Sequence, residues 1–393
     1  MPLSLPPLNY APWPDRATAQ RFVAGLAGPV PVEVAAEAVI EHAAAITDWL
    51  HQHGLAPLAY QWCRTRPPWQ SLTRLLTPAH YDNQTATLLR HNSLHQILTH
   101  LSAQSIPAVL LKGGALSLIV YSDPALRPMG DVDFWIDRAQ LPQAWQVAEA
   151  SGYAVKALWR GPESLPDRLT QVDFYTTAPE LCLEWHWDLV SRPQLIGQLP
   201  LSTWRTRLRS FPWQGATIYL LDPAAMLLHL ALHQMYQHWG DIRLIWLYDL
   251  DRLIRGTPDY HLTEADWVLV RAEAHQAGVL PGVQVALRAA AYWFNTPLPP
   301  PAQSLLAEKP PADQQHRFDT LVITGASSAV KSWHELREQP GWSDRLTIMA
   351  TKLFPPPAYM RQRYHIRHHW LVPFYYPWRW LKMVRIIVTG RRE

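Results

Sequence analysis

Residues 106–137 read IPAVLLKGGALSLIVYSDPALRPMGDVDFWID, and this stretch decides the fold. IPAVLL is a short apolar run stopped by Lys112-Gly113-Gly114, the pattern of a buried strand. ALSLIVYS follows as a short helix, SDPALRPMG as a loop and DVDFWID as a second strand. Side chains alternate along a strand, so Asp131 and Asp133 project from one face as a pair ready to hold divalent cations. Two glycines carry no Cβ to keep a phosphate from the backbone N–H groups, and the helix behind them offers its N-terminus. Lys112 adds a point charge to that loop, or else is an ordinary surface lysine.

Downstream, LPQAWQVAEASG reads as a helix ended by Gly152. YAVKAL, VDFYTT and LCLEWHW read as further strands, the last two joined by a turn at Ala178-Pro179-Glu180. Strands and helices in this order indicate an α/β or α+β unit spanning 106–220. LCLEWHW supplies a third carboxylate, Glu184, from a neighbouring strand. His186 and Asp188 alternate with it, and His186 reads either as a nucleotide contact or as a satisfied core imidazole. Two metals roughly 3.5–4 Å apart can clamp the attacking and leaving oxygens of a phosphoryl displacement. Mg²⁺ (or Mn²⁺) needs few protein ligands for that work, because phosphate and water oxygens supply the rest.

The Gly-Gly, Asp-x-Asp and later-carboxylate pattern resembles the DNA polymerase beta-like nucleotidyltransferase superfamily. Within it, residues 106–137 look like the core of a bacterial family of nucleotidyltransferases from end to end. Gly152-Tyr153, LEWHWDL and the block holding His233, His238, Trp239, Leu247 and Asp249 are also similar, so the resemblance covers about 95–290. It implies an α+β fold in which a small mixed β-sheet with helices is flanked by N- and C-terminal helical regions. It implies an NTP as donor, an acceptor that is a small molecule, RNA or protein, and release of pyrophosphate. Asp131, Asp133 and Glu184 would be the catalytic metal ligands, with Glu184 as base. Lys112, Gly113, Gly114, Arg127 and His186 would hold the nucleotide. Sixteen residues separate Gly114 from Asp131, more than the superfamily's usual spacing. The extra length is the SDPALRPMG loop, read as a substrate-facing insertion with Arg127 on the triphosphate. The alternative is a catalytically silent module of the same architecture, against which stands the presence of all three carboxylates.

Around this core, residues 1–105 read as a helical region behind an extended proline-rich arm at 1–14. Helices are expected at 32–54, ended by Gly54, and at 83–105, with 65–80 as a connection. Residues 221–295 read as a helical domain closing the cleft, opened by an Asp222 cap with Pro223 at the first helical position. His229 and His233 stand four residues apart with His238 nearby. Acidic or cysteine partners for zinc are missing, so lining the cleft or plain packing is expected. Asp249 either closes the cleft or forms a salt bridge on the helix surface. Residues 296–315 are expected as a proline-rich linker, and 316–393 as a C-terminal helical region with a basic, aromatic tail.

Hydrophobic residues make up 48% and charged ones 17%, which excludes a disordered chain. A net charge of +3 does not argue for nucleic acid by itself. Cys63 and Cys182 are the only cysteines, so no disulfide partner or thiolate zinc site is expected and a reducing compartment fits. The N-terminus lacks a signal-peptide pattern, and no apolar run approaches the ~20 residues of a spanning helix. The expectation is a cytoplasmic protein, peripheral at a membrane if its tail docks there. In 378–389, WRWLKMVRIIVT, basic residues gather on one side of a helical wheel and apolar ones on the other. Such a helix can lie in a membrane interface, bind RNA or single-stranded DNA, or pack on the protein's own body.

Overall fold

A computed structural model describes residues 8–28, 36–155, 161–165, 169–177, 180–326, 328–339, 341–355, 357, 360–361, 364, 366 and 368–389. Seven strands form one mixed sheet: β1 (Val109–Leu110), β2 (Val132–Trp135), β3 (Ala154–Val155), β4 (Gln171–Thr177), β5 (Glu180–His186), β6 (Arg209–Trp213) and β7 (Ala216–Leu220). Their order is β3-β4-β5-β2-β1-β7-β6. β2 runs parallel to β5 and β1 parallel to β7, while the remaining neighbours are antiparallel. The fold is α+β, as the sequence implied. The Ala178-Pro179 turn and the end of YAVKAL lie outside the described residues.

Two strands were not legible. β6 and β7 form a hairpin whose central residues, Gln214 and Gly215, have φ of +50° and +81°. This is the left-handed turn that matches strand twist. Pro212 masks β6 in the sequence, but β6 is an edge strand, where a missing N–H costs little.

The N-terminal helices are α1 (Arg16–Ala27), α2 (Ala36–Ile40), α3 (Ala43–Gln52), α4 (Ala56–Cys63) and α5 (Gln70–Ala103). The expected connection at 65–80 is mostly the first part of α5, which runs unbroken through Pro78. Leu72, Leu76 and His80 are buried around that proline, and their packing offsets the one backbone bond it removes. Residues 32–35 of the helix expected over 32–54 lie outside the described residues; the rest is divided into α2 and α3, and Gly54 ends the second part at φ +71°. Of the expected N-terminal arm, residues 1–7 lie outside the described residues. Trp13 is buried, its ring 5.0 Å from Phe22 and 5.5 Å from Trp49, so the end of that arm is docked.

After the sheet core with α6 (Lys112–Ile119), α7 (Leu141–Ala150) and α8 (Leu201–Thr206) come α9 (Pro223–Leu232), α10 (Leu244–Arg255), α11 (Glu264–Gln276) and α12 (Leu280–Phe294). Asp222 caps α9 as expected, accepting from the amides of Ala224 and Ala225 at 3.1 and 3.2 Å. The region expected as a linker, 296–315, holds α13 (Pro300–Ala307) and the start of α14 (Ala312–Leu321). Pro300 and Pro301 sit at the beginning of α13 and Pro311 just before α14, where they suit a helix, and Ala302 and Leu305 are buried. Gln284 of α12 fastens this segment by donating to the carbonyls of Leu305 and Glu308 at 2.8 and 2.9 Å. One connected core therefore runs from Trp13 to Leu321. The chain ends with α15 (Ser328–Glu338), α16 (Trp342–Leu353) and α17 (Val372–Thr389).

Candidate active site

Strand register assembles the acids. Asp133 on β2 is paired with Glu184 on β5, and Glu184 is paired in turn with Asp173 on β4. Three carboxylates thus lie in a row across three strands, with Asp131 one step before β2. His186 shares their face by alternation, and its Nε2 is 2.9 Å from Asp133 Oδ1 and 3.6 Å from Glu184 Oε2. Asp133, Glu184 and His186 each offer an atom within 4.8 Å of the other two, close enough to share one cation.

These groups line, or lie under, a cleft of about 620 Å³ between the sheet and the following helices. Lys112, Gly113, Gly114, Arg127, Asp131, Asp133 and Glu184 contribute one wall. His233, His238, Arg243, Trp246 and Asp249 contribute the other. Lys112 opens α6 with φ +46°, and its Nζ meets Asp133 Oδ1 at 2.6 Å. It is buried and neutralises an acid, which excludes the ordinary surface lysine. Gly113 and Gly114 occupy the first turn of α6, where backbone N–H groups have no partner inside the helix.

The three aspartates are unequal. Burial alone would raise Asp133, but the Lys112 ammonium and the His186 hydrogen bond hold it well below the usual carboxylate range. Asp131 goes the other way, raised to about 6 by burial and by the neighbouring Asp133 and Glu184. Asp173 is also raised, by burial and by Glu184. More negative charge gathers here than Lys112 offsets, and oxygen donors of this kind suit a hard divalent cation. His186, fully buried against Asp133, positions that carboxylate and does not line the cleft, which corrects its expected place on the nucleotide.

Arg127 also differs from expectation. Its Nη2 donates to Asp249 Oδ2 at 2.8 Å and its Nε to Asp249 Oδ1 at 2.9 Å, while Nη1 donates to the Pro128 carbonyl. Tyr121 adds its hydroxyl to Asp249 Oδ1 at 2.6 Å. A guanidinium so engaged forms the wall of the cleft and has little left for a triphosphate. Asp249 closes the cleft from the helical side, one of its two expected roles. Arg243 stands on the cleft with its Nε on the Gln52 carbonyl at 3.3 Å and its charge 5.5 Å from the Trp246 ring. Burial and nearby Arg127 lower its pKa, and Asp131 is the acid that raises it.

The histidine wall depends on a π-helical turn over His233–Gln237. Widening the turn brings residues five apart together, so His233 and His238 meet at 3.0 Å through their Nε2 atoms. Both rings pack on Trp246, with centroids 5.0 and 4.3 Å away. Burial and the Lys112 charge push His233 well below the ordinary histidine value and His238 down to about 4. These imidazoles are neutral, and among the described residues none joins a group of three metal ligands. Arg243, Trp246 and Asp173 were missed by the sequence reading. Asp173 had a signal, since a two-strand hairpin with a short turn sets it opposite Glu184.

Residues 41–295 match the profile of a family described as "Uncharacterised nucleotidyltransferase". No curated protein matches the sequence. Among solved structures, an antigenic nucleotidyltransferase-like protein from Paracoccidioides brasiliensis is 18% identical, with 57% of this chain and 96% of that chain covered. Its TM-score of 0.31 is too low to argue from.

Proposed function

The chain belongs to this family of nucleotidyltransferases, and on that premise we propose that it moves a nucleoside monophosphate from an NTP to an acceptor hydroxyl or phosphate. The acceptor oxygen attacks the α-phosphorus, the bond to the bridging oxygen of the β-phosphate breaks, and pyrophosphate leaves with that electron pair. The acceptor's proton passes to Glu184, which lines the cleft and is oriented by the Gln171 amide at 3.3 Å. Asp131, Asp133 and Glu184 would hold Mg²⁺ or Mn²⁺, which when bound supplies charge neutralisation at the triphosphate and the leaving oxygens. Lys112 and His186 keep Asp133 ionised and aimed. The first-turn amides at Gly113 and Gly114 receive phosphate oxygens. Arg243 takes the triphosphate role expected of Arg127, and Trp246 lines the part of the cleft beside it, where the base would lie.

The observation that carries this reading is one cleft holding Asp131, Asp133 and Glu184 on one wall and Arg243 with Trp246 on the other. Isothermal titration of each NTP with Mg²⁺ tests it. The natural chain should bind at least one NTP, and Asp131→Asn should lose metal-dependent binding while melting no lower, because removing that charge relieves repulsion. Arg243→Ala should weaken binding on the order of tenfold or more. Undiminished metal-dependent binding in Asp131→Asn, or no binding by the natural chain, would sink the assignment.

A further inference from the structure

Most of the large apolar side chains that are exposed among the described residues lie after residue 329. They are not scattered. On α16, Trp342, Leu346, Met349 and Leu353 are 75%, 57%, 37% and 41% exposed. Their spacing of i, i+4, i+7 and i+11 puts all four within an arc of about 60° at 100° per residue. On α17, Phe374, Trp378 and Leu381 are 70%, 49% and 70% exposed at i, i+4 and i+7, with Trp370 one turn ahead at 62%. Each helix carries an outward apolar stripe.

The stripes are not awaiting burial against each other. α17 already uses its opposite face to pack on the end of α16. Trp380 Nε1 donates to the Leu353 carbonyl at 2.7 Å, and the Tyr376 hydroxyl to the Pro355 carbonyl at 2.6 Å. The Trp380 ring lies 5.1 Å from Phe354. Farther back, α15 is held to the body by Arg192, whose Nη2 meets Glu338 Oε1 at 3.1 Å. One face of α17 is thus taken up by the neighbouring end of α16, and the other is left outward.

Charge identifies the occupant. Residues 328–393 hold twelve Lys and Arg against four Asp and Glu, while the whole chain has 35 against 32. A net of eight positive charges thus sits on this end, and the rest of the chain is acidic. Cations rim the stripes: Arg345 lies 5.3 Å from the Trp342 ring and the Lys382 ammonium 5.5 Å from that of Trp378. Aliphatic Leu346, Met349, Leu353 and Leu381 offer no ring on which a base could stack, yet gain by leaving water. Tryptophans and basic side chains around such a stripe suit a headgroup layer. No helix among the described residues is long and apolar enough to cross a membrane.

We propose that α16 and α17 form a docking face for the surface of an anionic lipid bilayer, with the apolar stripes at the headgroup–acyl boundary and the basic residues among the headgroups. The proposal is independent of the nucleotidyl-transfer reading. The test is flotation of the full chain with vesicles of mixed phosphatidylcholine and phosphatidylserine, and with phosphatidylcholine alone. The natural chain should float with the mixed vesicles, and less so with the neutral ones or in high salt. Leu346→Ser with Leu381→Ser changes only exposed positions and should retain the circular dichroism spectrum. It should float roughly tenfold less or worse. No flotation with mixed vesicles, or equal flotation of the variant, overturns the proposal. So does single-stranded RNA binding that the same variant abolishes while vesicles are ignored.

Discussion

A methyl group on Gly113 would stand 2.8 Å from Arg127 Cζ and 2.9 Å from its Nη2. That guanidinium cannot swing aside, because its nitrogens are engaged by Asp249 and the Pro128 carbonyl. Gly113→Ala should therefore cost about 1–3 kcal/mol. Gly114→Ala, whose methyl meets only Val132 Cγ1 at 3.4 Å among contacts shorter than 3.5 Å, should cost less. Urea midpoints of the two variants decide it, and equal midpoints would refute the account. Residues at this scale were legible where chemistry is local. Asp131, Asp133 and Glu184 could be read because strand alternation is a short-range rule. Arg127 could not, since its partner Asp249 lies 122 residues away and an unpaired arginine in a loop looks like a phosphate ligand. Arg243 and Trp246 carry no local sign at all, because only the packing of α10 on α9 and α6 brings them to the acids.

Among the elements, the β6–β7 hairpin offers a sensitive position. Gln214 holds φ +50°, a left-handed conformation that asparagine tolerates better than glutamine. The turn contributes its carbonyl to His95 at 2.9 Å, a backbone contact that substitution leaves alone. Gln214→Asn should raise stability by about 0.5 kcal/mol. A denaturation midpoint unchanged or lowered would contradict the turn assignment. Elements with strong periodicity, such as α7 and β2, could be read from sequence. Proline misled the reading three times for physical reasons. Pro212 sits on an edge strand, Pro78 inside a helix held by buried leucines, and Pro300 and Pro301 at a helix start. The π-turn was illegible because nothing in local propensity distinguishes a five-residue closure from a four-residue one.

For the whole molecule, histidines set the acid limit. Burial pushes His53 and His238 down to about 4, and His229 and His233 well below the ordinary value. Unfolding returns each to the ordinary range near 6.5. Below that pH the unfolded chain takes up protons that the folded chain refuses, so stability present above 6.5 is lost as pH falls toward 4. Asp131, raised to about 6, opposes this with Asp173, Asp188 and His186, which are also raised, but the lowered histidines, His80 and His91 among them, outnumber these groups. The melting temperature should drop by roughly 3 °C or more between pH 7 and pH 5. A flat or rising profile in scanning calorimetry would contradict the buried-neutral assignment. Arg127 precedes β2, whereas Asp249 belongs to α10, so their pair fastens the two walls of the cleft together. Parting them would leave two buried charges without their partners, at about 3–5 kcal/mol. The cavity is thus a mould and not a jaw. A cleft clamped in this way is expected to admit its cargo without one wall swinging against the other.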